Sequence, residues 1–147
     1  MSTKKQKKET IRLQILKSES NGFELSDISK DDISKLQQKD LNFNVTIHIA
    51  SNLKKKQLKL ETVIEASQKS NQKLLFKIKA TSIFHSPDIR TVINENNAII
   101  APEDFMRKII NISIGGARGM LAVHLADTKL KHITLPLLDT GSLKEEK

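Results

Sequence analysis

From Thr10 onward the chain alternates apolar and polar positions with a period of two, in blocks separated by polar runs. Ile11, Leu13 and Ile15 alternate with Arg12 and Gln14, which predicts a half-buried strand. Residues 18–22 carry turn chemistry, and Phe23 and Leu25 then let the strand resume after a bulge or bend. Residues 26–40 are polar, with Ile28, Ile33 and Leu36 as isolated apolar anchors. Asp31 and Asp32 can cap a short helix with Lys35 late in it, so a crossover loop with one helical turn is expected. The clearest alternation sets Leu41, Phe43, Val45, Ile47 and Ile49 against Asn42, Asn44, Thr46 and His48, a long strand with one apolar face. A charged connection at 51–57 leads to Leu58, Leu60, Thr62, Ile64 and Ala66. A polar turn at 67–72 leads to Leu74, Phe76, Ile78 and Ala80, the row ending near Ile83-Phe84. Short polar links between consecutive strands predict antiparallel pairing in a meander with one buried face.

The period then changes. Residues 85–97 read as a loop, and Pro102 followed by Glu103 and Asp104 reads as a helix start. Phe105, Met106, Ile109, Ile110 and Ile112 recur at helical spacing. Gly115-Gly116 is expected to interrupt the helix before a second run, Ala117, Met120, Leu121, His124 and Leu125, to about Ala126. Asp127-Thr128 closes it, and Ile133, Leu135 and Pro136 form an extended segment. The sum is an α+β fold: a four-stranded antiparallel sheet (strand, crossover loop, three-strand meander) with a long C-terminal helix packed on one face. Residues 1–9 are expected to be a disordered basic tail, 10–139 a single domain and 140–147 a polar C-terminal tail.

Composition narrows the function classes. The 147 residues contain no cysteine, which excludes disulfides and thiolate metal sites, and the 3% of aromatic residues are all Phe. No run of eighteen apolar residues occurs, so no membrane insertion is expected. Lys4, Lys5, Lys7 and Lys8 precede no apolar run, so a secretory signal is not expected and a cytoplasmic location is. The net charge of +8 has two readings: attraction to acidic partners, or lysines that merely solvate exposed faces.

Catalytic chemistry finds no foothold. His48, His85, His124 and His132 fall on different elements without HxxxH or HExxH spacing, no GxSxG context surrounds a serine, and Asp31-Asp32 reads as a charged turn. No metal, no cofactor and no enzymatic activity are therefore expected. The segment IGGARG lacks both GxGxxG and GxxxxGK[ST] spacing, so its glycines are read as permitting close backbone approach or a kink rather than cradling phosphate. Tyr and Trp, the usual stacking residues, are absent, so base-specific reading of nucleic acid is not supported. Nonspecific, salt-sensitive nucleic-acid binding through the tail and Lys54-Lys55-Lys56 is a second function class.

Three segments, NGFELSDIS (21–29), LLFKIKATSIFHS (74–86) and IGGARGMLAVHLADTKLKHITLPLLD (114–139), together resemble the SecB protein-export chaperone family. There a strand ending in Ile-Phe leads to a long helix with an Ala-Arg pair, a short loop and a leucine–proline segment. Here these are Ile83-Phe84, Ala117-Arg118 and Leu135-Pro136, and the likeness spans about residues 10–139. It implies a homotetramer built as a dimer of dimers through long helices, acting without nucleotide as a holdase for unfolded client or precursor proteins. By position, Leu25, Ile28, Ile33 and Leu36 would wall a client groove, with Phe43, Phe76, Leu121 and Leu125 on its floor, where ordinary core packing is the competing reading of Phe43, Phe76 and Leu121. Gly115, Gly116, Met120 and His124 would serve the oligomer interface. Glu24, Leu75 and Lys77 lie where the family docks a SecA-type translocation motor. Lys77, however, stands where an acid is expected, and the chain ends soon after Leu138, so the family's second helix and acidic tail are expected to be missing. Those departures favour a SecB-like relative with other clients, such as the chaperones of toxin–antitoxin systems.

Overall fold

The computed structural model describes residues 11–26 and 35–136. Its elements are β1 (Gln14–Leu25), β2 (Leu41–Asn52), β3 (Gln57–Gln68), β4 (Leu74–His85) and one long helix, α1 (Glu103–Ala126). The four strands form one antiparallel sheet in the order β1-β4-β3-β2, so the meander is intact and β1 closes the far side against β4. The fold is α+β, a four-stranded antiparallel sheet with a long C-terminal helix, as the alternation predicts.

Period-two patterning fixes which residues face the helix. Leu58, Leu60, Ile64 and Ala66 on β3 lie in register with Phe84, Ser82, Ile78 and Phe76 on β4, and all eight are buried. α1 packs across β4, β3 and β1. It buries Ile109, Ala117, Leu121 and Leu125 at no more than 1% exposure, each apolar chain of leucine size contributing about 1.5–3 kcal/mol. Its 24 residues are long and apolar enough to cross a membrane, but the periodicity of its buried residues is that of a helix laid on a sheet. Pro102 occupies the N-cap, with Glu103 and Asp104 in the first turn at the positive end of the dipole.

Two expectations about local structure are corrected. The turn chemistry read at 18–22 does not divide β1: the strand runs unbroken, the bulge expected there is the register irregularity between Ser20 and Gly22, and a second lies between Ile15 and Lys17. Leu16 and Asn21 are the extra residues, and each flips the parity of the residues after it, so the apolar alternation read across 11–25 does not mark one face. Ile15 and Leu16 are accordingly both exposed, while Ile11 and Leu13 pack on the core before the strand begins. Second, Gly115-Gly116 does not interrupt the helix, because burial of Ile114, Ala117 and Leu121 on the sheet outweighs a glycine cost of about 1 kcal/mol each.

Loop residues 86–101 carry more core than their composition suggests. Ile89, Val92 and Ile93 are buried around a 3-10 turn (Ile89–Thr91), and Ile93 forms an isolated bridge with Ile99. Part of the crossover is outside the described residues, including Ile28, Asp31, Asp32 and Ile33. Its described part ends in a 3-10 turn (Gln38–Asp40) closed by a Gln37–Asp40 capping box.

Candidate functional site

The geometry of α1 divides the chain's apolar surface into covered and uncovered parts. The helix crosses β1 along a seam of small side chains. A Cβ built on Gly116 would meet Ser18 Oγ at 3.3 Å, so the glycine faces β1 within the same chain. Two turns on, His124 stacks flat on Phe23 (ring centroids 4.6 Å apart, 9° between planes) and shares a 3.0 Å hydrogen bond with Ser20 Oγ. Gly116 and His124 therefore hold the helix to its own sheet within one chain, and Met120 between them is half-buried. Gly115 is exposed with nothing within 4 Å of a built Cβ, as is Gly119. Together with Ile112 (42% exposed) and Val123 (74%) these glycines make a smooth outward stripe at spacings of three and four residues. Gly115-x-x-x-Gly119 is legible in the sequence, but the adjacent pair Gly115-Gly116 draws attention away from it.

At the far end of the sheet the register aligns Leu25 with Phe76, Phe76 with Ala66, and Ala66 with Phe43. One row thus crosses all four strands on the helix side. Its two ends are open, Leu25 at 43% exposure and Phe43 half-buried, while Phe76 and Ala66 between them are sealed. The Phe43 and Phe76 rings lie 6.3 Å apart and tilted by 58°. Next to this row, Leu36 is half-buried and lines a broad hollow of about 670 Å³ with Asp40, Gln68, Lys69, Ser70, Asn71 and Lys73. The segment after α1 folds back to the same place. His132 Nε2 lies 2.7 Å from the Leu36 carbonyl, the Gln38 side-chain amide donates to the Thr134 carbonyl, and Thr134 N donates to Gln38 Oε1 at 3.0 Å. Leu130, Ile133 and Leu135 are buried by this return.

Of the predicted groove, then, Leu25, Leu36 and Phe43 reach the surface at this end of the sheet. Phe76, Leu121 and Leu125 do not: at 1% exposure or less they are core, because period-two and helical stripes both turn toward the sheet–helix interface. Ile28 and Ile33 fall outside the described residues. Val45 and Ile49 were not singled out from sequence, yet they extend the half-buried apolar row along β2, which α1 does not shelter as it does the other strands.

The opposite sheet face is polar. Leu75 is completely buried and offers no docking surface, correcting that assignment. Lys77 stands in register between Glu24 on β1 and Glu65 on β3, a charge ladder that favours a cation there by about 0.2–1 kcal/mol per opposite pair.

An electrostatic clasp holds the N-terminal segment to the loop after β4. Arg12 N and Nε donate to Asp88 Oδ2 at 2.9 and 3.2 Å, Arg12 Nη2 donates to Oδ1 at 3.0 Å, and Ser86 Oγ donates to the Arg12 carbonyl at 2.6 Å. The hydrogen bond from the Arg12 side chain, then that from its backbone, lowers the Asp88 carboxyl from 3.8 to about 2. A lowered carboxyl stabilises the folded chain above its unfolded value and loses that contribution as pH falls through the folded one. The clasp is therefore expected to hold at pH 4 and open near pH 2. An NMR titration of the Asp88 carboxyl checks this; a midpoint near 4 would mean the clasp is not formed in solution. Among the described residues no cluster of three or more His, Cys, Asp or Glu has the disposition of a metal site.

No family model matches the chain, and no curated protein matches it. Among solved structures it is similar to a protein of unknown function from Streptococcus agalactiae, with a TM-score of 0.47 and 11% identity over 88% of this chain and 99% of that one. It is also similar to a SecB-like chaperone from Mycobacterium tuberculosis, solved in complex with a peptide from an antitoxin. That likeness has a TM-score of 0.43 and 11% identity over 88% of this chain and 90% of that one.

Proposed function

We propose that the chain is an ATP-independent chaperone of SecB type, a holdase that keeps unfolded polypeptides from aggregating. The observation that supports it is the apolar row at the end of the sheet. Leu25 is exposed and Phe43 and Leu36 are half-buried, with Leu36 lining a hollow, although the same chain buries Phe76, Leu121 and Leu125 to 1% or less. Apolar surface left open beside a closed core marks an interaction surface, and unfolded chains are the partners that offer complementary apolar side chains without a fixed shape. The sequence resemblance to the SecB family points the same way. A holdase binds the unfolded state and opposes its collapse by mass action, which needs neither a catalytic group nor a nucleotide site.

In this reading the protein works in the cytoplasm as an oligomer. The outward stripe Ile112, Gly115, Gly119 and Val123 is the surface by which copies join, since glycines let two helix backbones approach closely. Docking to a SecA-type motor, and with it a role in export, is not part of the reading, because Lys77 places a cation inside the acidic patch such docking would use. Light scattering from a chemically unfolded protein diluted into buffer is the test. Near-equal amounts of the chain, without nucleotide, are expected to suppress aggregation. Aggregation that proceeds unchanged at excess chain removes the reading.

A further inference from the structure

β2 differs from the other strands in having a long, regular and unpaired edge. Its inner edge pairs with β3 across the full 12 residues without a register shift, and among the described residues no strand pairs with its outer edge. Such an edge is normally blunted by bulges, proline or inward charge, because it templates pairing with another chain. β1, the opposite edge, carries two irregularities. β2 carries none, and no proline. At roughly 3.3 Å per residue it offers an edge of about 40 Å.

The two faces flanking this edge differ, as a strand-binding surface requires. Phe43, Val45 and Ile49 lie half-buried on the helix side, while Asn42, Asn44 and His48 are exposed on the other. Both ends of β2 are basic. Lys54, Lys55 and Lys56 are exposed in the turn to β3. At the start of the strand, Lys69 and Lys73 line the hollow, and Lys69 N donates to the Asp40 carbonyl at 2.9 Å. Among the described residues lining the hollow the one carboxylate, Asp40, is turned into its capping box, accepting from Gln37 N at 3.0 Å. Lys69 and Lys73 form no ion pair among the described residues.

We propose that the outer edge of β2 takes up an extended client segment as a fifth strand, one whose apolar residues alternate with polar ones and are flanked by acidic residues. Main-chain hydrogen bonds supply affinity for any sequence, the apolar row Phe43, Val45 and Ile49 receives alternate side chains, and the lysine turns select negative flanks. This rests on the holdase reading and names the kind of segment it captures and how.

The test uses the full chain and a synthetic peptide of alternating valine and threonine between glutamate pairs, compared with the same peptide between lysine pairs. At low salt the glutamate peptide is expected to bind at least roughly tenfold more tightly, and Lys69→Glu combined with Lys73→Glu to erase that preference. Methylating every second peptide nitrogen separates strand addition from apolar contact. One alternate set is expected to abolish binding and the other to leave it nearly unchanged, because only one set faces the edge. Equal effects of the two sets, or no binding of the unmethylated peptide while the chain still suppresses aggregation, overturn strand addition and leave the holdase reading standing. Loss of aggregation suppression itself removes the holdase reading. Concentration-dependent pairing of two copies through β2, or displacement of the peptide by a single-stranded oligonucleotide, likewise overturns the proposal by giving the edge another occupant.

Discussion

Phe76→Ala is expected to cost the fold about 3–5 kcal/mol, a large share of the ~5–15 kcal/mol that holds a domain of this size together. The ring is completely buried in the middle of the sheet, in register with Leu25 on one side and Ala66 on the other, and lies against the Phe43 ring. Truncation removes most of its buried area and leaves a cavity whose walls are paired strands that cannot close in. Urea denaturation followed by circular dichroism reads the loss directly. The variant also separates two roles. Phe43→Ala is expected to cost less than Phe76→Ala, because Phe43 is only half-buried on the sheet's edge strand and solvent already reaches it. If the two variants lose equal stability, the row does not have a closed centre and an open end.

The second large effect concerns the helix glycines, which do different work despite lying within one turn. Gly116→Leu is expected to lose about 1–3 kcal/mol by overpacking, because the new side chain is driven into Ser18 and lifts α1 from β1. Gly119→Leu meets open space and is expected to gain up to about 1 kcal/mol from helix propensity. In the proposed assembly it fills the outward stripe and weakens self-association by at least about tenfold, or roughly 1.4 kcal/mol. Thermal melts and sedimentation velocity together resolve the pair. A stable Gly119→Leu variant of unchanged oligomeric size would mean that the stripe is not where copies join.

How much of this was legible depended on what each stretch packs against. β2, β3 and β4 read cleanly because their helix-facing rows keep parity up to the irregularity between Ala66 and Ser67, where Leu75 is the extra residue. β1 did not, because the extra residues Leu16 and Asn21 switch parity twice, and Gly22, extended within the strand, looks like a turn residue when read alone. The glycine pair misled for a related reason: propensity argues against a continuous helix, but propensity is a weak term beside a buried stripe running from Met106 to Leu125. Ile89, Val92 and Ile93 carry a short helical spacing in a polar surrounding, too brief to mark a core segment. As for the proposed site, Leu25, Leu36 and Phe43 are named from the sequence only by likeness of position to the SecB family, whereas the row joining Leu25 to Phe43 needs the strand order and three registers at once. No local pattern encodes that.

The claim that this row captures unfolded chains is tested most directly by light scattering with a variant whose fold is intact. Leu25→Ser and Phe43→Ser combined remove its two open ends and leave Phe76 in place. The account predicts that the variant, still folded by circular dichroism, loses most of the wild-type chain's ability to suppress aggregation at equal amounts without nucleotide. A folded variant that protects as well as the wild type would contradict it.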